Sequence, residues 1–310
     1  MIAVKRFFNE PIIYPHMDDR MGDNINGPSL IRAPNWLKKS LGRYYLYFSD
    51  HKGTYIRLAF SNSLMGPWEI YYNGVLELND SYFMQQDSFD GALYAHIASP
   101  DVHVDDENGR IIMYFHGQLS NGDQVTRVAI SDDGITFCVK KQILGPPYFR
   151  VFQYLETVYA ICWGGEIWRS QDWFLPFEKG PKILPFNIED KSTSSFRHGE
   201  VFREQDLLHI FFSNIGDAPE HILYSKMKLS KNWNEWKTNN THSILKPELN
   251  WEGAKLPISQ SAIGIAEEKS RELRDPCIFQ DTDSQIYLLY SGGGERGIGC
   301  LLYTSDAADE

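Results

Sequence analysis

The sequence predicts an all-β protein, a five-bladed β-propeller, from three observations. A three-part strand unit recurs five times along the chain. Its apolar residues alternate or run without a break, where a helix would space them every 3.6 residues. Aromatic residues make up 14% of the chain, as suits half-buried pleated surfaces. A four-stranded blade cannot bury both its faces, so copies of such a unit stack around a central channel. Internal repetition of this length is the sequence mark of that architecture.

The first part of each unit is a short strand opening at a tight turn. Its copies are Gly27-Pro-Ser-Leu-Ile31, Ser99-Pro-Asp-Val-His103, Gly145-Pro-Pro-Tyr-Phe149, His198-Gly-Glu-Val-Phe202 and Asp275-Pro-Cys-Ile-Phe279. The second part is a strongly apolar strand, of the kind buried on both faces. It reads Tyr44-Tyr-Leu-Tyr-Phe48, Ile111-Ile-Met-Tyr-Phe115, Val158-Tyr-Ala-Ile-Cys162, Leu208-His-Ile-Phe-Phe212 and Ile286-Tyr-Leu-Leu-Tyr290. The third part is a strand leading to a polar turn and an aromatic: Arg57-Leu-Ala-Phe-Ser61, Arg127-Val-Ala-Ile-Ser131, Ile167-Trp-Arg-Ser170 and Ile222-Leu-Tyr-Ser225, with a fifth copy starting at Gly297. Ser261 to Leu273 carries the one helical pattern and is read as part of a loop. The closing run Cys300-Leu-Leu-Tyr-Thr-Ser-Asp-Ala-Ala-Asp-Glu310 resembles a translated sequencing adaptor. The reading therefore places one domain at residues 1–299 and a non-native tail at 300–310.

Bulk properties narrow the function. Hydrophobic residues at 42% and charged residues at 23% are those of a globular chain. A formal charge of -11 argues against nucleic acid, whose phosphates call for a basic surface. No apolar run approaches the ~20 residues of a membrane helix, and no apolar segment follows Lys5-Arg6 to make a signal peptide. With a genuine N-terminus the location is cytoplasmic. Cys138, Cys162, Cys277 and Cys300 are scattered, without the spacing of a zinc site or a disulfide framework. No metal or cofactor is expected.

The inner strand of each blade lines the propeller axis, so residues opening the five units face one another. Residues two apart on a strand share a face. This brings Asp101, Glu200 and Asp275 to the channel, with His96, His103 and His198. Asp50-His51, at the end of the second strand of blade one, and Arg274 join them as substrate-binding candidates. Trp163 and Trp68 are read as blade core. Three carboxylates from separate blades meet the needs of glycosidic cleavage, in which one acid protonates the leaving oxygen and a carboxylate activates water or attacks the anomeric carbon. Their mutual repulsion raises the pKa of at least one. The partner implied is a carbohydrate.

At these residues the sequence resembles glycoside hydrolase family 43. Ser99-Pro-Asp-Val102 is similar to that family's second-blade Ala-Pro-Asp-Val motif, Arg274-Asp-Pro276 to the Arg-Asp-Pro of the wider superfamily, and Leu64-Met-Gly-Pro-Trp68 to its common blade ending. The resemblance implies an inverting mechanism with an Asp base on blade one, a second Asp on blade three and a Glu acid on blade four. Gly27 and Gly145 stand at the first two places, and only Glu200 has a counterpart. Two readings follow. In one, Glu200 is the acid, Asp275 the base and Asp101, with His198, the support; in the other, the propeller binds sugars without cutting them. Inversion requires the reacting carboxyls to lie about 6.5–9.5 Å apart.

Overall fold

The computed structural model describes residues 2–187, 189 and 194–305. They form five antiparallel sheets arranged as the blades of a propeller. From the channel outward, blade one is Asn26–Arg32, Tyr44–Ser49, Tyr55–Ser61 and Glu69–Ile70, with Leu76–Glu77 also paired to the third strand. Blade two is Ile97–Asp105, Arg110–Gln118, Gln124–Ser131 and Cys138–Gly145. Blade three is Arg150–Tyr154, Thr157–Cys162, Glu166–Ser170 and Glu178–Lys182. Blade four is Ser195–Glu204, Leu207–Ile215, Ile222–Lys228 and His242–Leu245. Blade five is Leu273–Gln280, Ile286–Gly292 and Ile298–Ser305, with Ile2–Arg6 outermost.

The second strands explain why this sequence makes a propeller. Side chains alternate across a strand, and each alternate set enters a different inter-blade core. Tyr44, Leu46 and Phe48 pack with Cys277, Phe279 and Leu289 of blade five. Tyr45 and Tyr47 pack with Ile97, Val102 and Met113 of blade two. Ile112 and Tyr114 face Phe149 and Val158 of blade three. Two further cores fill the remaining interfaces. Burial on both faces is what the unbroken apolar runs encode.

The ring closes by strand exchange between the chain ends. Val4 pairs with Tyr303 and Arg6 with Leu301, so the N-terminal strand completes blade five. The expected boundary after Gly299 falls inside the strand Ile298–Ser305. Cys300, Leu301 and Tyr303 are buried there, Cys300 against blade one and the other two against blade four. Residues 306–310 lie outside the described residues.

The expected opening of blade three at Gly145 is corrected. Gly145 ends the outer strand of blade two, and a Cβ there would lie 2.7 Å from the Phe149 ring. The inner strand of blade three begins only at Arg150. Residues 261–272 form irregular loop with no helix. Among the described residues, no helix is long and apolar enough to cross a membrane.

The inner strands of blades one, two, four and five share one irregularity. Their register shifts between Asn26 and Ser29, Ala98 and Asp101, Phe196 and Gly199, and Arg274 and Cys277. Such bulges re-aim side chains. Here they sit where the strands enter the channel, and they hold Gly27, Ser99 and Asp275 at φ of 58°, 51° and 47°.

Candidate active site in the propeller channel

A cavity of about 450 Å³ opens over the channel. Its walls include His51, Tyr94, Tyr148, Trp163, Arg197 and His198. Tyr148 takes a left-handed φ of 65°, just before the inner strand of blade three. Its ring packs 4.1 Å from His198 and 4.0 Å from His116, centroid to centroid. Left-handed backbone at a bulky residue is costly and persists only where surroundings enforce it. Here it sets an aromatic face between two imidazoles.

His198 and Asp275 form one unit. The ring Nδ1 meets Asp275 Oδ1 in a short hydrogen bond across the interface of blades four and five. Both residues are buried. Burial alone would raise the Asp275 carboxyl, but His198 and Arg274 outweigh it and hold it below the usual carboxylate range. Burial, with Arg197 and His51 nearby, pulls His198 below its ordinary value. Both directions favour a neutral imidazole whose Nδ1 faces the carboxylate.

Glu200 belongs to a second cluster. Asp101 Oδ2 accepts from Val151 N–H at 2.8 Å and lies 3.0 Å from His103 Nε2. Arg150 is fixed by the Ser99 and Phe149 carbonyls, and its Nε is 3.6 Å from Glu200 Oε2. Glu200 Oε1 accepts from Val201 N–H. Burial pushes the Glu200 carboxyl up to about 8, against the opposing pull of Arg150 and with the help of the Asp101 charge. Asp101 is held low, because His103 and Arg150 overcome its burial. Two neighbouring carboxyls thus carry opposite protonation at neutral pH, the arrangement that separates acid from base roles.

A buried ionic lattice supports the cavity wall. Arg197 Nε donates to Glu220 Oε1 at 2.7 Å, and the same guanidinium donates to the Ala262 and Gly264 carbonyls. Arg274 Nε lies 3.3 Å from Glu220 Oε2, its Nη1 donates to Glu295 Oε1 at 3.2 Å, and its Nη2 pairs with Glu272. Glu295 also meets His51 Nδ1 at 3.2 Å and Asn24 Nδ2 at 2.7 Å. It sits at φ 63° after Gly293 and Gly294, which are left-handed too. His51 and Arg274 keep it ionised despite its burial.

The candidates from sequence thus divide. His198 and Asp275 come together, as do Glu200 and Asp101. His51 and Arg274 meet at Glu295. His96 is buried 5.5 Å from His116 and pushed down to about 4 by burial. Asp50 stays outside, tied to Arg57 at 3.3 Å and to the Lys52 amide. Trp68 is core, as expected, but Trp163 lines the cavity. Sequence reading did not identify Arg150, Arg197, Glu220, Glu295, His116 or Tyr148. Among the described residues, no group of three or more His, Cys, Asp or Glu is placed to hold a metal ion.

Blade one gives the channel no carboxylate for a steric reason. A Cβ at Gly27 would lie 3.0 Å from Ser99 Cα and 3.4 Å from Ser49 Oγ. Gly27→Asp is expected to restore no chemistry and to cost at least about 3 kcal/mol, from left-handed strain and an unpaired buried carboxylate. A urea melt of the variant checks this, and an unchanged midpoint would contradict it.

No family model matches the chain. It is 34% identical over 293 residues, 89% of this chain and 82% of the other, to "Uncharacterized protein R118" of Acanthamoeba polyphaga mimivirus. Among solved structures it resembles CoXyl43, a GH43 β-xylosidase/α-arabinofuranosidase from a compost microbial metagenome, in complex with xylotriose. The TM-score is 0.63 at 13% identity, covering 99% of this chain and 97% of that one. The GH43_1 enzyme of Xanthomonas citri complexed with xylose gives 0.62 at 14% identity over 97% and 91%. An N-acetylgalactosamine deacetylase from F. plautii gives 0.60 at 11% identity over 98% and 96%. The chain belongs to the family of the mimivirus protein and has the five-bladed propeller fold of the family 43 glycoside hydrolases.

Proposed function

We propose that this propeller is a carbohydrate-active enzyme that hydrolyses a glycosidic bond at its channel, with Glu200 as the general acid. The observation that carries the reading is that two buried carboxyls from different blades, Glu200 and Asp101, are gathered around the segment Arg150–Val151 of a third. There burial pushes the Glu200 carboxyl up to about 8, while His103 and Arg150 hold Asp101 below the usual carboxylate range. A protonated carboxyl beside a carboxylate is what glycoside cleavage requires. The cavity supports it in size, falling within the ~300–1,000 Å³ of small-molecule sites, and in its aromatic walls Tyr94, Tyr148 and Trp163. Two structural neighbours hold xylose and xylotriose, which makes pentose oligomers the first ligands to try.

The fold alone does not choose the chemistry, since one propeller hosts glycosidases and a deacetylase. A second reading, sugar binding without cleavage, is favoured by one observation. Asp101, Glu200 and Asp275 are buried and are not among the residues that line the cavity. Hydrolysis of aryl pentosides, aryl hexosides and natural oligosaccharides by the protein and by Glu200→Gln tests the choice. Turnover lost in the variant supports the acid assignment, and sugar binding with no turnover in either supports the second reading. In both readings Trp163→Ala is expected to weaken sugar binding about tenfold, near 1.4 kcal/mol, by calorimetry. Unchanged affinity would remove Trp163 from the binding wall.

A further inference from the structure

The hydrolase reading needs a proton acceptor, and Asp275 is poorly placed to be one directly. Its Oδ1 is taken by His198, it is 2% exposed, and it does not line the cavity. The imidazole bonded to it does. We propose that His198 is the group that accepts a proton from the nucleophile in the cavity, and that Asp275 is a positioning residue acting through it. The inference rests on the hydrolase reading and replaces Asp275 as the atom-level base.

Three features of the site argue for it. Nδ1 is committed to Asp275, which leaves Nε2 as the ring nitrogen for a ligand. A carboxylate behind Nδ1–H fixes the tautomer and stabilises the imidazolium once it forms. Tyr148 covers one side of the ring at 4.1 Å, and Trp163 stands 6.5 Å away, so the imidazole has little room to turn. Asp275 itself is held at φ 47° between Arg274 and Pro276, inside the register shift of the blade-five inner strand. Backbone strain of this kind collects where a side chain must be aimed. The charged and titratable groups around the ring are Asp275, Arg197, His51 and His116, with Arg274 and Glu295 behind Asp275. Burial, with Arg197 and His51 near the ring, favours the neutral imidazole, whose lone pair then falls on Nε2.

The step balances as follows. A water O–H proton passes to His198 Nε2 while the water oxygen bonds to the anomeric carbon. The glycosidic C–O bond breaks, and the leaving oxygen takes the Glu200 proton. The imidazolium then releases its proton to solvent, and Glu200 regains one.

Long-range ¹H–¹⁵N correlation spectra of the ¹⁵N-labelled full chain at pH 7 test the proposal without any substrate, His198→Gln assigning the signals. Protonated Nδ1 with unprotonated Nε2, and loss of that pattern in Asp275→Asn, is the expected result. An imidazolium, an Nε2–H tautomer, or a pattern unmoved by Asp275→Asn would overturn it. The wild-type spectrum decides the tautomer even where Asp275→Asn does not fold. If the glycoside panel shows turnover, His198→Gln is expected to lose about 10²–10⁴-fold in kcat, and full retention would overturn the proposal. The expected tautomer in a protein that cleaves no glycoside supports the paired geometry but overturns the hydrolase reading and, with it, the proton-acceptor role of His198.

Discussion

Replacing Glu200 with Gln is expected to cut turnover by about 10²–10⁴-fold and, at the same time, to stabilise the fold. The two effects share a cause. In the folded protein burial raises this carboxyl from 4.5 to about 8. Between those values the folded state holds a proton that the unfolded chain has released, so stability falls as pH rises across the window and levels off above it. At pH 7 this penalty is on the order of 3 kcal/mol. Gln keeps the shape of the protonated acid and has no charge to lose, so the gain should be near zero below pH 4.5 and largest by pH 8. Thermal melts of both proteins at pH 4.5, 6 and 8, beside the activity assay, check it. A variant less stable at every pH would mean that Glu200 serves chiefly as the ion-pair partner of Arg150.

Glu220→Gln should have the opposite effect. Glu220 is fully buried and stands between the guanidinium groups of Arg197 and Arg274. Removing its charge leaves two buried cations short of a partner, which costs about 3–5 kcal/mol when a buried pair is broken. Arg197 lines the cavity, so sugar affinity should fall with stability. Urea melts and calorimetry measure both, and a change below about 1 kcal/mol would show that Glu272 and Glu295 compensate.

The propeller was legible because its inter-blade cores leave a mark on the sequence. A second strand buried on both faces must be apolar without interruption, and five such runs cannot be hidden. The closing strand left no such mark. Ile2-Ala-Val-Lys-Arg6 is short, and no other unit places its outer strand at the opposite end of the chain. Gly145-Pro-Pro147 mimics the turns that open other inner strands, whereas blade three brings Tyr148, Arg150 and Trp163 to the site. The run from Cys300 resembles an adaptor in sequence. Its buried pattern, with Cys300, Leu301 and Tyr303 inside, fits the third strand of a blade.

The candidate site was legible in part, for a related reason. Glu200, Asp101 and Asp275 lie at repeated strand starts, where topology points them to the axis. Glu220 and Glu295 lie on loops, and only the tertiary fold brings them to Arg274. Three consecutive glycines before Glu295 gave a hint of unusual backbone, and Arg197 stands next to a residue that had been singled out. The pairing of His198 with Asp275 joins residues 77 positions apart through the packing of two blades, which spacing alone does not reveal.

The most direct test of the account is a crystal structure of Glu200→Gln with a bound xylo-oligosaccharide. The account predicts a sugar ring against Tyr148 and Trp163, a glycosidic oxygen within about 3.2 Å of the residue 200 amide, and His198 Nε2 within reach of a water near the anomeric carbon. A sugar bound in the cavity with residue 200 out of reach would contradict the enzymatic claim, and a sugar bound elsewhere would contradict the site.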